Sequence, residues 1–161
     1  MSAARGAVSR AKPLWTCPAC RRAFANRNQS HACARLDLGH HFRGRAPQVR
    51  ALYLAFVAAL RRLGPVRVLP EKTRIAFQTR MSFAQLTPRR HYLTGHLVLA
   101  ERRASPKFLR IETISARNHV HHFRLEAENF LDAEFRALLR AAYAVGKQQH
   151  VRRSDNARRH P

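Results

Sequence analysis

The chain has 161 residues, enough for one domain of ordinary size and a small appended module. Its hydrophobic content of 45% argues against wholesale disorder, and the absence of an apolar run of about eighteen residues leads us to expect no membrane-spanning helix. The formal net charge is +22, from 31 Lys and Arg against 9 Asp and Glu, and such a field attracts polyanions, of which nucleic acid is the most abundant. A basic protein with no polyanionic partner is the alternative.

Both ends of the chain are basic and poor in apolar residues. Residues 1–12 and 147–161 are therefore predicted to be a disordered leader and a disordered tail, and the leader lacks the apolar core of a secretory signal. Between them we place a metal-binding module at 13–35 and one domain at 36–146. Three clustered cysteines suit metal binding in a reducing compartment better than a disulfide framework, so we expect a cytoplasmic protein.

Cysteine and histidine gather in one short segment near the start of the chain. Cys17 and Cys20 form a CxxC pair, and His31 and Cys33 follow them. Thiolate and imidazole are ligands that Zn²⁺ favours, and four of them make a closed tetrahedral site of the structural kind. The sequence therefore predicts a structural zinc ion in a small zinc-ribbon-like module.

Two alternatives at this module stay open at the level of sequence. His40 or His41 could replace His31 as the fourth ligand, because the gap between Cys20 and Cys33 is that of a two-cysteine, two-histidine finger. A redox-active CxxC pair is the other alternative, although such pairs follow a buried strand and a basic leader precedes this one. The arginines around the module modestly favour contact with phosphate, and they are Arg21, Arg22, Arg27 and Arg35.

Two amphipathic helices and a run of short strands are predicted for the rest of the chain. The first helix begins at Pro47 and ends at Leu63 before Gly64-Pro65, and the second covers about 132–145 with Gly146 as its C-terminal cap. Between them, strands are predicted at 66–69, 74–78, 81–86, 92–99, 109–114 and 119–125. This order gives an α+β fold, a mainly antiparallel sheet flanked by an N-terminal and a C-terminal helix and preceded by the small zinc-bound module.

Cations concentrate around the first predicted strands. If the apolar residues Ile75, Phe77, Phe83 and Leu86 face the helices, the strand ends and the opposite face form a basic surface that could hold phosphate or another anion. The candidate ligand-binding residues on it are Lys72, Arg74, Arg80, Arg89 and Arg90. An ordinary solvated sheet face is the alternative.

A histidine cluster near the second helix is a further candidate. In a strand, His119 and His121 share one face and His122 points to the other, so we include His119 and His121 among the candidate ligand-binding residues. Glu112 on the neighbouring strand is the candidate third group for a second metal site. Packing is the more common role of such histidines, and anion binding or acid–base chemistry is the alternative.

Sequence motifs of catalysis are absent. The chain contains no phosphate-cradling glycine loop, no HExxH, no GxSxG and no cysteine beyond the metal module. We therefore assign no catalytic residue. A metal-independent nuclease that uses histidine and lysine needs no carboxylate, and it stays open as an alternative.

Several blocks of the sequence match one family in order. They are the segment from Trp15 to Cys33, with its CxxC and HxC pairs, and residues 64–77, 80–93 and 114–125. Together they resemble bacterial proteins that carry an uncharacterised domain, domain of unknown function fifty-six fifty-five, which is also found in proteins called predicted transport proteins beside a nuclease-like domain. The resemblance implies a small α+β domain with no assigned activity and, by analogy alone, a nucleic-acid setting.

These observations together predict a binding or accessory module. We expect a bacterial zinc-containing protein that binds nucleic acid or another phosphate-bearing ligand, chiefly through arginine contacts to phosphate. The alternatives are a small enzyme with a pocket of lysine, arginine and histidine on the sheet, and a module in which zinc organises a contact with another protein.

Overall fold

The computed structural model describes residues 11–34 and 36–151. Most of the leader predicted at 1–12 and of the tail predicted at 147–161 therefore lies outside the described residues. The described part is an α+β structure with a six-stranded antiparallel sheet, two α-helices and two short 3-10 helices, preceded by a two-stranded sheet. None of its helices is long and apolar enough to cross a membrane.

The first helix, α1 (Pro47–Arg61), combines a proline in its first turn with apolar residues at helical spacing, as the sequence predicts. Pro47 occupies its first turn, where the missing N–H costs nothing, and the apolar residues at helical spacing are buried. The helix ends at Arg61, and the chain turns away at Gly64, whose φ of 140° suits glycine and whose missing side chain leaves room for the hydroxyl of Tyr143. A 3-10 helix at Leu38–Phe42 precedes it.

The second helix, α2 (Ala133–Gly146), begins at a side-chain cap. The Asp132 carboxylate accepts a hydrogen bond from the N–H of Phe135 at 2.9 Å. Gly146 is not the left-handed cap that the sequence predicts. It is the last helical residue, and a Cβ there would lie 2.4 Å from Cδ1 of Phe83, so its small size serves a close approach to the sheet. The left-handed residue after the helix is Gln148, with a φ of 60°.

Among the described residues, eight strands make two sheets. In the N-terminal module, β1 (Trp15–Thr16) pairs with β2 (Ala23–Phe24). The main sheet contains β3 (Arg67–Pro70), β4 (Ile75–Gln78), β5 (Ser82–Pro88), β6 (Leu93–Leu99), β7 (Phe108–Ser115) and β8 (Asn118–Leu125). Its strand order is β3-β4-β5-β6-β8-β7, and all neighbours are antiparallel. The hairpin of β7 and β8 therefore returns so that β8 pairs with β6 and β7 lies at the edge.

Both α-helices contribute to one core against one face of this sheet. Phe56 of α1 and Phe135 of α2 are fully buried, and their rings meet those of Phe77 and Phe123 on the strands. The four residues predicted to face the helices are all fully buried: Ile75, Phe77, Phe83 and Leu86.

The other face of the sheet is polar. Along β5, β6 and β8, buried residues on the helix side, most of them apolar, alternate with more exposed and mostly polar residues on the far side. We call the far side the open face, and its central residues are Gln85, Thr87, Thr94, His96 and His122. Cross-strand pairing places Gln85 opposite His96, and His96 opposite His122.

The N-terminal module contacts the strands at the β3 side of the sheet. The carbonyl oxygen of Ala23 accepts hydrogen bonds from the side chains of Arg67 and Gln78, each at 3.3 Å. The guanidinium of Arg80 donates to the carbonyl oxygen of Lys12. Because Gln78 is fully buried, this contact is part of the packed structure and not a loose surface encounter.

Candidate metal centre and phosphate cleft

The turn between β1 and β2 brings the first two cysteines together. The N–H of Cys17 donates to the carbonyl of Arg22, and the N–H of Arg21 donates back to the carbonyl of Cys17, both at 2.9 Å. Arg21 adopts a positive φ of 62°, which closes the turn tightly. Cys17 and Cys20 are buried at 5% and 9% exposure, which is consistent with a shielded ligand pair.

Four side chains converge on one point in this module. The ligand atoms of Cys17, Cys20, His31 and Cys33 all lie within 4.8 Å of one another. The sulfurs of Cys17 and Cys33 are 3.9 Å apart, and Nε2 of His31 is 3.2 Å from the sulfur of Cys20 and 3.4 Å from that of Cys33. A tetrahedron with Zn–S bonds of about 2.3 Å has edges of about 3.8 Å, so these separations fit a metal ion of zinc's size.

The ring of His31 is oriented for this role. Its Nδ1 lies 2.7 Å from the carbonyl oxygen of Gln29, so Nδ1–H donates there and leaves Nε2 with a free lone pair toward the three sulfurs. The ring also packs at 4.3 Å from that of Phe24, which lies within 6.0 Å of Trp15. These rings form the small core that orients the imidazole.

The thiols differ in acidity. Hydrogen bonding from the backbone N–H of Cys20 lowers the pKa of the Cys17 thiol to about 6. Loss of hydration around the Cys33 sulfur, together with its bonds to the other two thiols, raises the pKa of that thiol to about 11. The hydrogen bond with the carbonyl of Gln29 raises the pKa of His31. Metal binding must therefore displace a proton from Cys33 at neutral pH.

The sequence leaves open whether His31, His40 or His41 is the fourth candidate metal ligand, and the structure groups His31 with the cysteines. His31 joins the three cysteines, whereas His40 and His41 lie in the 3-10 helix before α1 and are not in the group. His41 is 7% exposed, and burial lowers its pKa. All three cysteines are free thiols.

Three of the five predicted cations share one cleft at the β5 end of the open face. Its volume is about 510 Å³, and it is lined by Lys72, Arg74 and Arg89 together with Arg45, His40 and other residues of the β3–β4 turn and of β5. Glu71 pairs with Arg74 at 2.5 Å and leaves the other cations without an acidic partner among the cleft residues. We call this the phosphate cleft.

The remaining predicted residues lie elsewhere. Arg90 is exposed near the phosphate cleft but outside its lining, and Arg80 faces the N-terminal module and Gln148. His121 is fully buried on the helix side, where Nε2 accepts from the N–H of Arg103 and Nδ1 donates to the carbonyl of His119, each at 3.0 Å. His119 is also buried on that side. The sheet thus separates both histidines from the phosphate cleft, and the predicted pocket of lysine, arginine and these histidines does not form.

The open face instead presents a pair of histidines that sequence reasoning passed over. The rings of His96 and His122 stand edge to face, 5.5 Å apart. They line a second cleft of about 350 Å³ with Arg89 and Arg110, and Gln85, Thr87 and Arg89 line both clefts. The alternation along β6 could have predicted the position of His96. Leu93, Gly95 and Leu97 are buried on the helix side, so His96 between them points to the open face.

Glu112 belongs to this second cluster and not to His119 or His121. Its carboxylate lies 3.5 Å from Nε2 of His122 and 2.5 Å from the guanidinium of Arg110, which itself lies 3.3 Å from the same nitrogen. Burial, followed by the charge of His122, lowers the pKa of His96 to about 4. At neutral pH His96 is therefore an uncharged base.

Comparison with known families places the chain. The family model of the domain of unknown function DUF5655 matches residues 38–146, which include the main sheet and both α-helices, and the chain belongs to this family. The metal module lies before the matched residues. No curated protein matches the chain, and no solved structure does.

Proposed function

We propose that this member of the DUF5655 family is a zinc-containing module that binds phosphate groups of nucleic acid in the phosphate cleft. The observation that carries the proposal is the cleft itself, in which Lys72, Arg74 and Arg89 converge in a recess of about 510 Å³. Arginine and lysine heads at the rim of a polar recess are the usual ligands of phosphate oxygens. The net charge of +22 supports a polymeric anion over a single small phosphate, because charge beyond the cleft would add to the attraction.

Zinc has a structural role in this proposal. Cys17, Cys20, His31 and Cys33 would fill all four positions of a tetrahedron, so no position is left for substrate. The module contains only two very short strands, and so small a core requires a metal to hold it together. Its contact with Arg67 and Gln78 then fixes it beside the sheet.

A binding titration with charge-matched variants tests the phosphate cleft. The test variant carries Lys72→Ala, Arg74→Ala and Arg89→Ala, and the control carries Arg50→Ala, Arg61→Ala and Arg62→Ala at exposed positions of α1 and of the residue directly after it. Both variants lose three positive charges. We expect the cleft variant to bind a labelled single-stranded oligonucleotide at least tenfold more weakly than the wild type, and the control variant to stay within about threefold.

Three further ligands separate the sources of binding. Inorganic phosphate and a mononucleotide report on a small phosphate ligand, and polyglutamate reports on bulk charge without phosphate. Stronger binding of the oligonucleotide than of all three supports the proposal. Equal weakening in the two variants, or equal binding of polyglutamate, would contradict it, because the net charge alone would then account for the affinity.

Native mass spectrometry tests the metal. The intact chain should carry one zinc ion, and Cys17→Ser and Cys33→Ser should each lose it. A chain purified without chelators that carries no zinc, or that retains it in both variants, would contradict the assignment.

A further inference from the structure

We infer that His96 and His122, on the open face beside the phosphate cleft, form an acid–base pair that cleaves single-stranded RNA by transfer of the phosphoryl group to the ribose 2′-hydroxyl. This inference rests on the proposed function and names its substrate class and reaction. The observations that carry it are the pairing of the two rings on adjacent strands, the free nitrogens of one ring, and the continuity of their cleft with the phosphate cleft.

His96 has the features of the base. It is half-buried on β6, and neither ring nitrogen has a hydrogen-bond partner among the described residues. The charges of His122 and Arg74 disfavour a positive charge on the ring and that of Glu112 favours one, and Arg89 and Arg110 line the same cleft. Burial outweighs the effect of Glu112, so His96 is uncharged at neutral pH and can accept a proton.

His122 has the features of the acid. The carboxylate of Glu112 lies 3.5 Å from its Nε2, and the guanidinium of Arg110 lies 3.3 Å from the same nitrogen. Arg110 and Glu112 also pair with each other at 2.5 Å, so one cation and one carboxylate border this ring nitrogen. Two titratable groups with unlike surroundings are the usual arrangement for acid and base roles at one site.

The two clefts would place an RNA chain across the pair. Arg89 lines both clefts, and its Nε donates to the hydroxyl of Thr94 at 3.3 Å, which holds the guanidinium between them. Phosphates bound by Lys72 and Arg74 then lead the next phosphodiester over His96 and His122, with Arg110 on its far side. Arg89 and Arg110 would stabilise the charge that develops on the phosphoryl oxygens.

The step balances without a cofactor or a metal. The ribose 2′-oxygen transfers its proton to His96 and forms a bond to phosphorus, while the bond from phosphorus to the 5′-oxygen breaks. That oxygen takes a proton from His122. The products are a 2′,3′-cyclic phosphate and a 5′-hydroxyl end, and water returns the proton from His96 to His122. Because the attacking group is the 2′-hydroxyl, DNA cannot react.

The experiment measures cleavage and binding side by side. The zinc-loaded full chain is incubated with a labelled single-stranded RNA and with the same sequence as DNA, and the ends of the products are identified. We expect cleavage of the RNA alone, with cyclic phosphate ends. His96→Gln and His122→Asn should each lower the rate at least a hundredfold with binding within about threefold, whereas exposed His91→Ala, purified in the same way, should retain it.

The failures of the two proposals are distinguishable. Oligonucleotide binding without RNA cleavage, or cleavage that survives both substitutions, would overturn the inference and leave the proposed function intact. If the wild type does not bind the oligonucleotide even at low salt, both the proposed function and this inference are wrong. Circular dichroism of each variant checks the fold, and a variant that has unfolded is replaced by Glu112→Gln, which should lower the cleavage rate while RNA binding stays within about threefold.

Discussion

At the scale of single residues, the contacts of Arg22 in the structure indicate a different role from the one that the sequence predicts. The sequence groups it with arginines that favour phosphate contact. In the structure its two terminal nitrogens donate to the carbonyls of Ala32 and Ala34, at 2.9 and 3.1 Å. These carbonyls flank Cys33, in a segment that belongs to neither strand of the module. The guanidinium therefore positions a ligand-bearing segment, which no spacing rule in the sequence indicates.

Replacement of Arg22 should weaken zinc binding although Arg22 is not a candidate ligand, because it positions the segment that carries Cys33. We expect Arg22→Ala to lower zinc affinity by about tenfold to a hundredfold, because Cys33 loses the two bonds that hold its segment. Arg22→Lys should recover little, since a single ammonium cannot span two carbonyls in the same fork geometry. Competition with a chromophoric chelator measures both, and exposed Arg27→Ala is the control. Equal zinc affinity in Arg22→Ala and the wild type would show that the segment around Cys33 does not depend on the hydrogen bonds of Arg22 for its position.

The acidity of the thiols predicts how zinc binding depends on pH. The lowered pKa of Cys17, about 6, makes that thiol largely a thiolate at neutral pH, whereas the raised pKa of Cys33, about 11, keeps that thiol protonated. Zinc binding should therefore release protons at pH 7, and affinity should fall more steeply as the pH drops through about 6, where protons also compete for Cys17. Chelator competition between pH 5 and 8 checks this. An affinity that does not change over the range would contradict it.

At the scale of elements, the pattern that places the helices and strands is local, whereas their order in the sheet is not. Period-two alternation predicts β5, β6 and β8 within about two residues at each end. It cannot predict that β8 pairs with β6, because that choice depends on the chain between 100 and 107 crossing the sheet before β7. The cross-strand neighbours of His96 depend on that pairing. The pattern of a single strand therefore cannot predict that His122 lies opposite His96.

The contact between α2 and β5 yields a test of the fold at Gly146. A methyl group there would meet Cδ1 of Phe83 at 2.4 Å and Oγ1 of Thr79 at 2.6 Å, so the helix and the strand must separate. We expect Gly146→Ala to lower the free energy of unfolding by about 1–3 kcal/mol in urea denaturation. Gly39→Ala is the control, because its Cβ would meet only the side chain of Asp37. A Gly146→Ala protein as stable as the wild type would contradict the close packing.

At the scale of the whole molecule, the sequence is a good guide to class and a poor guide to the surface. Composition and periodicity predict the α+β class and the buried faces, and metal-ligand spacing predicts the cluster of Cys17, Cys20, His31 and Cys33. The grouping of Lys72, Arg74 and Arg89 into one cleft depends on the β3–β4 turn folding toward the end of β5. Charge count alone could not separate these three from Arg80 and Arg90.

The salt dependence of binding tests the central claim most directly. Each phosphate contact on a single strand contributes about 0.7 to the slope of log affinity against log salt concentration. If Lys72, Arg74 and Arg89 each contact a phosphate, the variant with all three replaced by alanine should bind with a slope shallower by about 2 than the wild type. The variant with Arg50, Arg61 and Arg62 replaced should keep the wild-type slope. Identical slopes for the wild type and the cleft variant would contradict the account.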